Sequence, residues 1–582
     1  MDSLAASMDK MRTSDEPTAW TREGEGERKD RLVKKRIACI FEDSETPSED
    51  IKDMDRMKEK AEEIRIREIK KVLKMLRKCK SADVCFIIDA TGSMSGHING
   101  VKNSISKLVK EFKAPIIPEK PESSPLEKLR LSCIAYRDHG DSKRFEVFSF
   151  SEDVSQFEIF LGKLEATGGD DGPEDVLGGL WKAKSLPWSA DSGVRLIFHI
   201  GDCPPHGKQF HDGSMGDSYP SGHPSDPSVD AIFSWMKDEN IYYCFGKITK
   251  YTDKMISIFQ SKCWAPITVF DIKDPIKIAS AVKDSISSTI DTVVATSKAH
   301  SSPERTLREF KIDKSLPDWN KIEKVSAKMQ SYDMPESIED IIRDKPLSRR
   351  DPKRYYFQIA PNPFAEGAER IAFYARNVTM AKGDSSEPVK TVCKEFKHVG
   401  ATMNSGIRYE LVNQMQTISS FMAFEFSEAI KKVDESNQYS LKFLKVKTIS
   451  VENLKAKRYM TCEKEFSPDS TFIRFSNNAG FAVLKDKAKS LGVDSDFVDM
   501  VMAFSHWTYW VTKKYLLIVD LEGIVSKRED GTSQTILTDP AIHCTDHLRF
   551  GRLNHGMEGM KLFFNTHKCE KYCKLLKLPE HP

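Results

Sequence analysis

Residues 82–297 alternate apolar strand-like runs with helical stretches, and this alternation constrains the fold more than any other feature of the chain. Because the runs are short and apolar throughout, we predict strands that are covered on both faces, as in a mostly parallel sheet. The predicted strands are VCFII, LRLSCIAY, FEVFSF, VRLIFHI, IYYCFGKI and PITVFDI. The predicted helices lie near 98–112, 154–165, 174–185, 228–237, 254–261 and 276–296. The pattern indicates an α/β doubly wound domain, which binds ligands beyond the carboxyl ends of its strands.

Oxygen-bearing side chains follow two of these strands, where ligands are expected. Asp89 ends the strand in CFIIDATGSMSGHI, Thr91 and Ser93 come next at alternate positions, and Asp202 ends the strand in HIGD. Thr167 lies in the loop ATGGDDGPED. Carboxylate and hydroxyl oxygens are hard ligands, so we predict a Mg²⁺ site from these residues. The alternative is that Thr91 and Ser93 cap the next helix while Asp89 accepts backbone N–H groups.

The order of these residues resembles the von Willebrand factor A domain. The metal-ion-dependent adhesion motif of that family, Asp-x-Ser/Thr-x-Ser, stands here as Asp89, Thr91 and Ser93. The segments AYRDHGD and GDCPPHG resemble the intracellular branch of the family. The resemblance implies an ion with one open position, which a carboxylate of a protein partner can fill.

A long segment between Pro204 and Pro227 is rich in Gly, Pro and Ser, and it contains His206, His211 and His223. The spacing of these histidines fits no compact metal site. We therefore interpret the segment as a surface loop without a functional site.

The C-terminal part of the chain carries the groups that phosphoryl transfer needs. Lys394 lies on the short strand of KTVCKEFK, Glu463 lies near the end of YMTCEKEF, and Asp520 ends the buried strand of YLLIVDLEG. Asp539 stands in TDP, and NHGMEGM supplies Gly556 and Gly559 before an apolar helix. A cation for the phosphates, carboxylates for Mg²⁺ and a loop of small residues are the expected parts. Taken singly, each has a plain alternative, since a lysine can extend to solvent and glycines can simply start a helix.

The last forty residues also predict a structural zinc site. His543, His567, Cys569 and Cys573 offer two imidazoles and two thiols, the ligands of a tetrahedral zinc. Cys573 follows Cys569 by one helical turn, so both sulfurs can lie on one helix face. The alternative is two buried cysteines with unrelated histidines.

These segments together resemble the alpha-kinases, the atypical protein kinases related to elongation-factor-2 kinase and myosin-heavy-chain kinase. The similarity runs over residues 351–582, through FAEGAER, VCKEF, FSNNAGF, AFSHWTYW, LLIVDLEG, LTDPAIH, NHGMEGM and FFNTHKCEKYC. It implies an α+β kinase domain in which Lys394 contacts the ATP phosphates and Glu463 the adenine. It further implies that Asp520 binds Mg²⁺ and that Asp539 is the catalytic aspartate. His543, His567, Cys569 and Cys573 would then hold the zinc.

Three departures from the family pattern keep a second function open. Glu522 stands where the family has Gln beside Mg²⁺, Glu366 replaces a basic residue, and SKREDGTSQ is inserted between the two aspartates. The first hypothesis is a serine/threonine protein kinase whose metal-binding A domain recruits a substrate or partner. The second is a weak or silent kinase fold that acts as an interaction scaffold.

Composition and patterning set the remaining expectations. With Lys+Arg 89 against Asp+Glu 87, we expect no nucleic-acid partner. Scattered cysteines indicate a reducing compartment, so we predict a cytoplasmic protein, and no apolar run has the length of a membrane span. We predict a disordered charged tail over 1–47, an amphipathic helix over 48–80 and a linker with one helix over 298–350. In that linker Trp319, Ile322, Val325 and Met329 form an amphipathic stretch, and calmodulin binding is a minor alternative to docking on its own domain.

Overall fold

The computed structural model divides the chain into two compact units. The α/β unit comprises Lys70–Ser301, and the split unit comprises Met1–Ile69 together with Ser302–Pro582. The structure describes residues 24–43, 54–78, 81–113, 128–271 except 214, 264 and 266, 306–307, 310–379 except 368, 388–399, 406–452, 457–478 except 468 and 469, and 488–580 except 490, 529 and 530.

Two helices lie at the start of the described chain, α1 at Glu25–Asp43 and α2 at Met54–Lys78. Their apolar sides meet in a small buried cluster that consists of Ile37, Ile40, Ala61, Ile64 and Leu548. The prediction of a disordered tail is therefore wrong for residues 25–43, because the apolar side of α1 has a packing surface that the sequence does not reveal. Helix α2 lies within the segment 48–80 that is predicted as an amphipathic helix, and residues 48–53, 79 and 80 lie outside the described residues.

The α/β unit is built on a six-stranded sheet with the order β3-β2-β1-β4-β5-β6. Neighbouring strands are parallel except β2 and β3. The central strand β1 is buried at every residue after the first, which explains its unbroken apolar sequence. The strands are β1 Ser81–Asp89, β2 Lys128–Tyr136, β3 Phe145–Ser151, β4 Val194–Gly201, β5 Tyr242–Lys247 and β6 Thr268–Asp271. The helices are α3 Ile98–Lys113, α4 Val154–Lys163, α5 Val176–Lys182, α6 Val229–Asp238 and α7 Asp253–Lys262.

This sheet agrees with the predicted one in its strands and in its mostly parallel direction. In parallel sheets the residues that follow neighbouring strands meet at one edge. The loops after β1, β2 and β4 therefore share the carboxyl edge. The helix predicted over 276–296 lies outside the described residues.

The split unit contains a seven-stranded antiparallel sheet with the order β10-β11-β12-β16-β15-β8-β9, and β9 also pairs with β11. A four-stranded sheet has the order β14-β20-β19-β17, and β13-β7 and β18-β21 form two-stranded sheets. The strands up to β15 are β7 Thr306–Leu307, β8 Val325–Gln330, β9 Lys353–Ile359, β10 Ala365–Glu366, β11 Arg370–Asn377, β12 Val389–Phe396, β13 His398–Val399, β14 Tyr439–Phe443 and β15 Lys447–Val451. The later strands are β16 Arg458–Lys464, β17 Thr471–Arg474, β18 Leu516–Val519, β19 Glu522–Lys527, β20 Ser533–Thr538 and β21 Ala541–Cys544. The helices are α8 Ile338–Ile342, α9 Gly406–Val433, α10 Ser495–Val511, α11 Gly556–Phe564 and α12 Lys571–Leu575.

The segment predicted as a linker, 298–350, contributes to this unit. Strand β8 pairs with β9 and β15 inside the seven-stranded sheet. The amphipathic stretch from Trp319 to Met329 is a short 3₁₀ turn, Trp319–Lys321, followed by β8. The helical interpretation is wrong there, and with it the argument for calmodulin binding, because the strand pairs that bury Met329 are formed with distant segments.

None of the described helices combines the length and the apolar character that crossing a bilayer requires.

Candidate functional site

Three charged side chains lie on one face of the seven-stranded sheet. Lys394 of β12 is opposite Thr461 of β16 and Ala372 of β11. Side chains two residues apart share a face, so Glu463 and Arg370 lie on the same face as Lys394, each on a neighbouring strand. The sequence did not point to Arg370. Once the register pairs Ala372 with Lys394, Arg370 is placed on the same face because it lies two residues from Ala372.

Two aspartates occupy sharp bends at strand ends. Asp520 follows β18 and has φ of 60°, and Asp539 follows β20 and has φ of 50°. Left-handed backbone is uncommon outside glycine and is concentrated at functional sites, although aspartate tolerates it. The β19–β20 hairpin places Glu522 opposite Thr538, so Asp520, Glu522 and Asp539 lie at one end of that hairpin.

The sheet face and the hairpin end meet around Asp539. Lys394 Nζ lies 2.9 Å from Asp539 Oδ2, and Arg370 Nη2 lies 2.5 Å from Asp539 Oδ1. Lys394 also forms an ion pair with Glu463, whose other oxygen accepts a hydrogen bond of 3.2 Å from the Thr538 hydroxyl. Four charged groups, two of each sign, thus form one contiguous cluster.

Electrostatics within the cluster favour the ionised forms of Lys394 and Asp539. Burial alone would raise the pKa of Asp539, but Arg370 and Lys394 outweigh it and hold that pKa well below its usual range. Burial would lower the pKa of Lys394, but Asp539 and Glu463 outweigh it and raise that pKa. Burial, with Asp539 adding to it, raises the pKa of Glu463 against the opposing effect of Lys394.

Glu522, one of the three departures from the family pattern, forms an ion pair of 2.6 Å with Arg474. Burial raises the pKa of Glu522, and the neighbouring Asp520 carboxylate raises it further. Because the Asp520 and Glu522 carboxylates lie close together and are shielded from solvent, they favour the binding of a cation.

Gly556 and Gly559 both have packing reasons to be glycine. Gly556 has φ of 63°, and a Cβ there would lie 2.6 Å from His547 Nε2. A Cβ on Gly559 would lie 2.7 Å from the His543 ring. Their predicted contact with the nucleotide stays a prediction.

The C-terminal metal-ligand set differs from the predicted one by a single residue. His567, Cys569 and Cys573 come together as expected, but the fourth member of the cluster is His506 of α10 and not His543. His543 is buried elsewhere, where its ring nitrogens face the Asn478 carbonyl at 3.0 Å and the His555 amide at 3.1 Å. The motif AFSHWTYW already contained His506, but only the packing of α10 on the C-terminal segment shows that it reaches the thiols.

The ligand atoms of this cluster have the spacing of a tetrahedral zinc site. His506 Nδ1 lies 3.2 Å from His567 Nε2, Cys569 Sγ lies 3.5 Å from His506 Nδ1, and Cys573 Sγ lies 3.4 Å from His567 Nε2. Bond lengths of about 2.05 Å to nitrogen and about 2.3 Å to sulfur give tetrahedral edges of about 3.3 Å for N–N and about 3.6 Å for N–S. Three of the six distances between ligand atoms therefore match a tetrahedral zinc ion, and all four ligand atoms lie within 4.8 Å of one another.

At the carboxyl edge of the α/β unit, four of the five predicted magnesium ligands are joined. The Thr91 hydroxyl donates to Asp89 Oδ1 over 2.6 Å and lies 3.1 Å from Ser93 Oγ. The Ser93 hydroxyl donates to Asp202 Oδ1 over 3.0 Å. The side chain of Thr167 is exposed, and its amide donates to the Ala90 carbonyl.

Glu174 is a further acidic residue at this place that sequence analysis missed, although it stands in the same ATGGDDGPED loop. Burial raises the pKa of Asp89 to about 7, and Asp202 adds to the shift. Burial raises the pKa of Glu174 to about 10, again with a carboxylate, Asp89, as the next cause. Among the described residues no hydrogen-bond donor reaches Asp89 Oδ2 or Glu174 Oε2. These buried oxygens fit a hard divalent cation.

Comparison with known proteins assigns the family. The model of the alpha-kinase family matches residues 365–573. Alpha-protein kinase vwkA of Dictyostelium discoideum is 32% identical over 539 residues, which cover 90% of this chain and 80% of that protein. The chain belongs to the alpha-kinase family. Among other relatives, myosin heavy chain kinase B of the same organism is 26% identical over 38% of this chain and 25% of its own length. The human transient receptor potential cation channel subfamily M member 7 is 28% identical over 29% of this chain and 8% of its own length.

Solved alpha-kinase structures show weaker similarity to the whole chain. An alpha kinase from Entamoeba histolytica aligns with a TM-score of 0.35 and 24% identity, covering 44% of this chain and 92% of its own. The alpha-kinase domain of myosin heavy chain kinase A in complex with ADP aligns with a TM-score of 0.33 and 20% identity, covering 44% and 99%. Family membership supports kinase activity and ATP binding. The Lys394–Asp539 cluster lies within the matched residues.

Proposed function

We propose that this alpha-kinase transfers the γ-phosphoryl group of ATP to serine or threonine hydroxyls of protein substrates. The observation that carries the proposal is the convergence of Lys394, Arg370, Glu463 and Asp539 from four separate strands or strand ends. Phosphoryl transfer depends mainly on positioning and on cations that neutralise the phosphate oxygens. Both requirements are served by this cluster.

The charges suggest how the residues would act. Before nucleotide binds, the Asp539 carboxylate forms ion pairs with Lys394 and Arg370. Phosphate oxygens compete for the same cations, so their arrival would weaken the hold on Asp539 and raise its pKa. Asp539 could then accept a hydrogen bond from the acceptor hydroxyl and orient it toward the phosphorus. Glu463 would keep Lys394 in place and face the adenine.

Magnesium would be held by Asp520 together with Glu522. The ion would neutralise phosphate charge that the side chains alone leave uncompensated. Glu522 and Glu463 have raised pKa values for the same physical reason, burial in a site that is rich in carboxylates.

The kinase proposal is tested by radiolabelled ATP transfer to the chain itself and to a basic protein mixture. Lys394→Ala and Asp539→Ala should each lower transfer by at least about 10²-fold, since each removes a charge from the transition-state environment. Lys390→Ala is the matched control, because Lys390 is exposed on the same strand. Phosphoserine and phosphothreonine in the product establish the acceptor class, and transfer that survives Lys394→Ala would refute the proposal.

A second candidate function is a weak or silent kinase fold that acts as a scaffold. The observation that favours it is Glu522, which adds a negative charge next to Asp520 and is engaged by Arg474. On this reading the wild-type chain gives no transfer, whereas Glu522→Gln restores it. Transfer by the wild-type chain at rates that are typical of kinases would eliminate the scaffold reading.

For the α/β unit we propose a von Willebrand factor A-like module that binds Mg²⁺ through Asp89, Thr91, Ser93 and Asp202 and recruits a protein partner or substrate. The joined oxygens of these residues and the unengaged Asp89 Oδ2 support the proposal. Calorimetric titration with MgCl₂ tests it, with Asp89→Asn as the variant that should lose binding. Equal Mg²⁺ affinity in both proteins would refute the site.

We also propose that the C-terminal cluster of His506, His567, Cys569 and Cys573 holds a structural Zn²⁺. Its support is the agreement between the ligand spacings and a tetrahedral ion. A cytoplasmic location stays a prediction from the cysteine content.

A further inference from the structure

Loops of the α/β unit bring several histidines and aspartates together at the carboxyl edge of its sheet. Ligand atoms fall into three overlapping groups, Asp138–His139–His206, His139–His223–Asp226 and Asp171–His206–Asp217. The expectation that the histidines between Pro204 and Pro227 fit no compact metal site is therefore wrong. His139, which lies in the loop after β2, adds a potential metal ligand that the spacing of these histidines along the chain does not reveal.

His139 is the unusual member of this assembly. Its side chain is only 3% exposed. Nevertheless, neither of its ring nitrogens makes a hydrogen bond with any described residue. Buried polar atoms without hydrogen bonds are rare in folded proteins and indicate an interaction that protein atoms alone do not supply.

Two carboxylates lie beside His139 Nε2, Asp175 at 3.6 Å and Asp226, which is nearer. Asp226 Oδ1 lies 3.1 Å from His139 Nε2, and it is likewise buried without a hydrogen bond in the described part of the chain. The two atoms are close but misaligned as donor and acceptor. A tetrahedral zinc with bonds of about 2.05 Å to nitrogen and about 2.1 Å to oxygen separates these atoms by about 3.4 Å. The observed spacing is thus near that of two ligands of one ion.

His223 supplies the third ligand. Its ring stacks on His139 with centroids 3.7 Å apart and planes at 17°. Its Nδ1 lies 2.8 Å from Ser225 Oγ and accepts a hydrogen bond of 3.2 Å from the Ser225 amide, so the ring leaves these contacts when it binds a cation. Stacked rings direct their lone pairs side by side, so the His223 ring must rotate toward Asp226 on binding. The exposed residues around Ser225 permit that movement.

The remaining members of the assembly are already paired and act as supports. His206 contacts Asp138 through Nε2 and Asp217 through Nδ1, each at 2.8 Å, and His211 contacts Asp217 at 2.9 Å. Asp138 also accepts from the His139 amide at 2.7 Å. The contact of His206 with Asp138 ties the loop after β4 to the loop after β2, and Asp138 fixes the backbone of His139, whereas the His211–Asp217 contact stays within the loop after β4.

We propose that His139, His223 and Asp226 form a second cation site in the α/β unit, selective for Zn²⁺. Two imidazoles and one carboxylate suit a borderline transition metal, with solvent or a partner group as the fourth ligand. Asp89, Thr91, Ser93 and Asp202 offer only oxygens and suit Mg²⁺. One sheet edge would therefore carry two cations of different chemistry.

The test measures zinc bound per chain after equilibrium dialysis of the full-length protein against ZnCl₂ with excess MgCl₂. His139→Gln and Asp226→Asn should each bind one zinc ion fewer than the wild type. His211→Gln is the matched control, because His211 lies in the same loop and pairs only with Asp217 among these acids. Circular dichroism shows whether each variant folds. If His139→Gln does not fold, the nearly isosteric Asp226→Asn still provides the test.

Cobalt separates this site from the C-terminal cluster. Co²⁺ on the two thiolates of Cys569 and Cys573 gives sulfur-to-metal charge-transfer bands, whereas an imidazole and carboxylate site gives only ligand-field bands. The proposal predicts that Asp226→Asn loses ligand-field intensity and keeps the sulfur bands, whether or not the kinase is active. Unchanged zinc content and cobalt spectra in folded Asp226→Asn, or the same loss in His211→Gln, would overturn it.

Discussion

Two histidine variants can identify the fourth ligand of the C-terminal metal cluster. The geometry assigns the fourth position to His506, whereas the sequence pattern favoured His543. We expect His506→Ala to lose bound zinc and His543→Ala to retain it. The comparison is sharp because both residues are buried in the same unit and both substitutions remove the same atoms.

His506→Ala is expected to lower zinc affinity, whereas His543→Ala is expected to lower folding stability alone. Structural zinc binding is worth about 10–16 kcal/mol in small zinc domains, so one of four ligands accounts for about 2.5–4 kcal/mol and roughly 10²–10³-fold in zinc affinity. His543→Ala instead leaves the buried Asn478 carbonyl and His555 amide without their ring partners. That loss costs about 1–3 kcal/mol of stability per group and leaves zinc affinity unchanged.

The assay is competition for zinc with a chromophoric chelator, combined with urea unfolding in the presence and absence of EDTA. For His506→Ala, EDTA should add little destabilisation, because the zinc is already weakly held. For His543→Ala, EDTA should destabilise as strongly as in the wild type. If His543→Ala loses the zinc and His506→Ala keeps it with wild-type affinity, the tetrahedral reasoning is refuted.

Three further predictions concern other parts of the chain. Glu522→Gln should lower kinase activity severalfold at limiting MgCl₂, measured by radiolabelled ATP transfer, because it removes one of the two carboxylates that would hold Mg²⁺; a gain in activity would instead favour the scaffold function. Asp89 has a folded-state pKa of about 7, above its ordinary value, so the metal-free α/β unit binds a proton that the unfolded chain releases. The melting temperature of the protein in EDTA should therefore fall as the pH rises from about 5 to about 8, and Mg²⁺ should remove most of that fall. A melting temperature in EDTA that increases with pH would contradict this prediction. Arg36→Ala removes a buried bidentate partner of Asp344, which keeps its contact with Arg549, and should cost about 1–3 kcal/mol in urea unfolding, whereas the exposed Lys34→Ala should change stability little.

Much of the architecture could be predicted from the sequence because local patterns carry it. Apolar runs such as the one that ends at Asp89 have the strand period and the burial that a parallel sheet demands. The positions of Lys394, Glu463, Asp520 and Asp539 followed from motif order, since each stands on a strand or directly after one. These features depend on neighbours in the chain, and a sequence displays such neighbours directly.

Only the tertiary structure decided which distant residues meet. Arg370 joined the cluster through strand register, and His506 displaced His543 through the packing of α10 against the C-terminal segment. His139 completed a histidine cluster that loop spacing had argued against, and α1 became ordered because the split unit offers it a surface. The sequence by itself determined which side chains stand at strand ends. The choice of spatial partners belongs to the fold, because contacts between remote segments depend on the sum of many packing energies that no local pattern encodes.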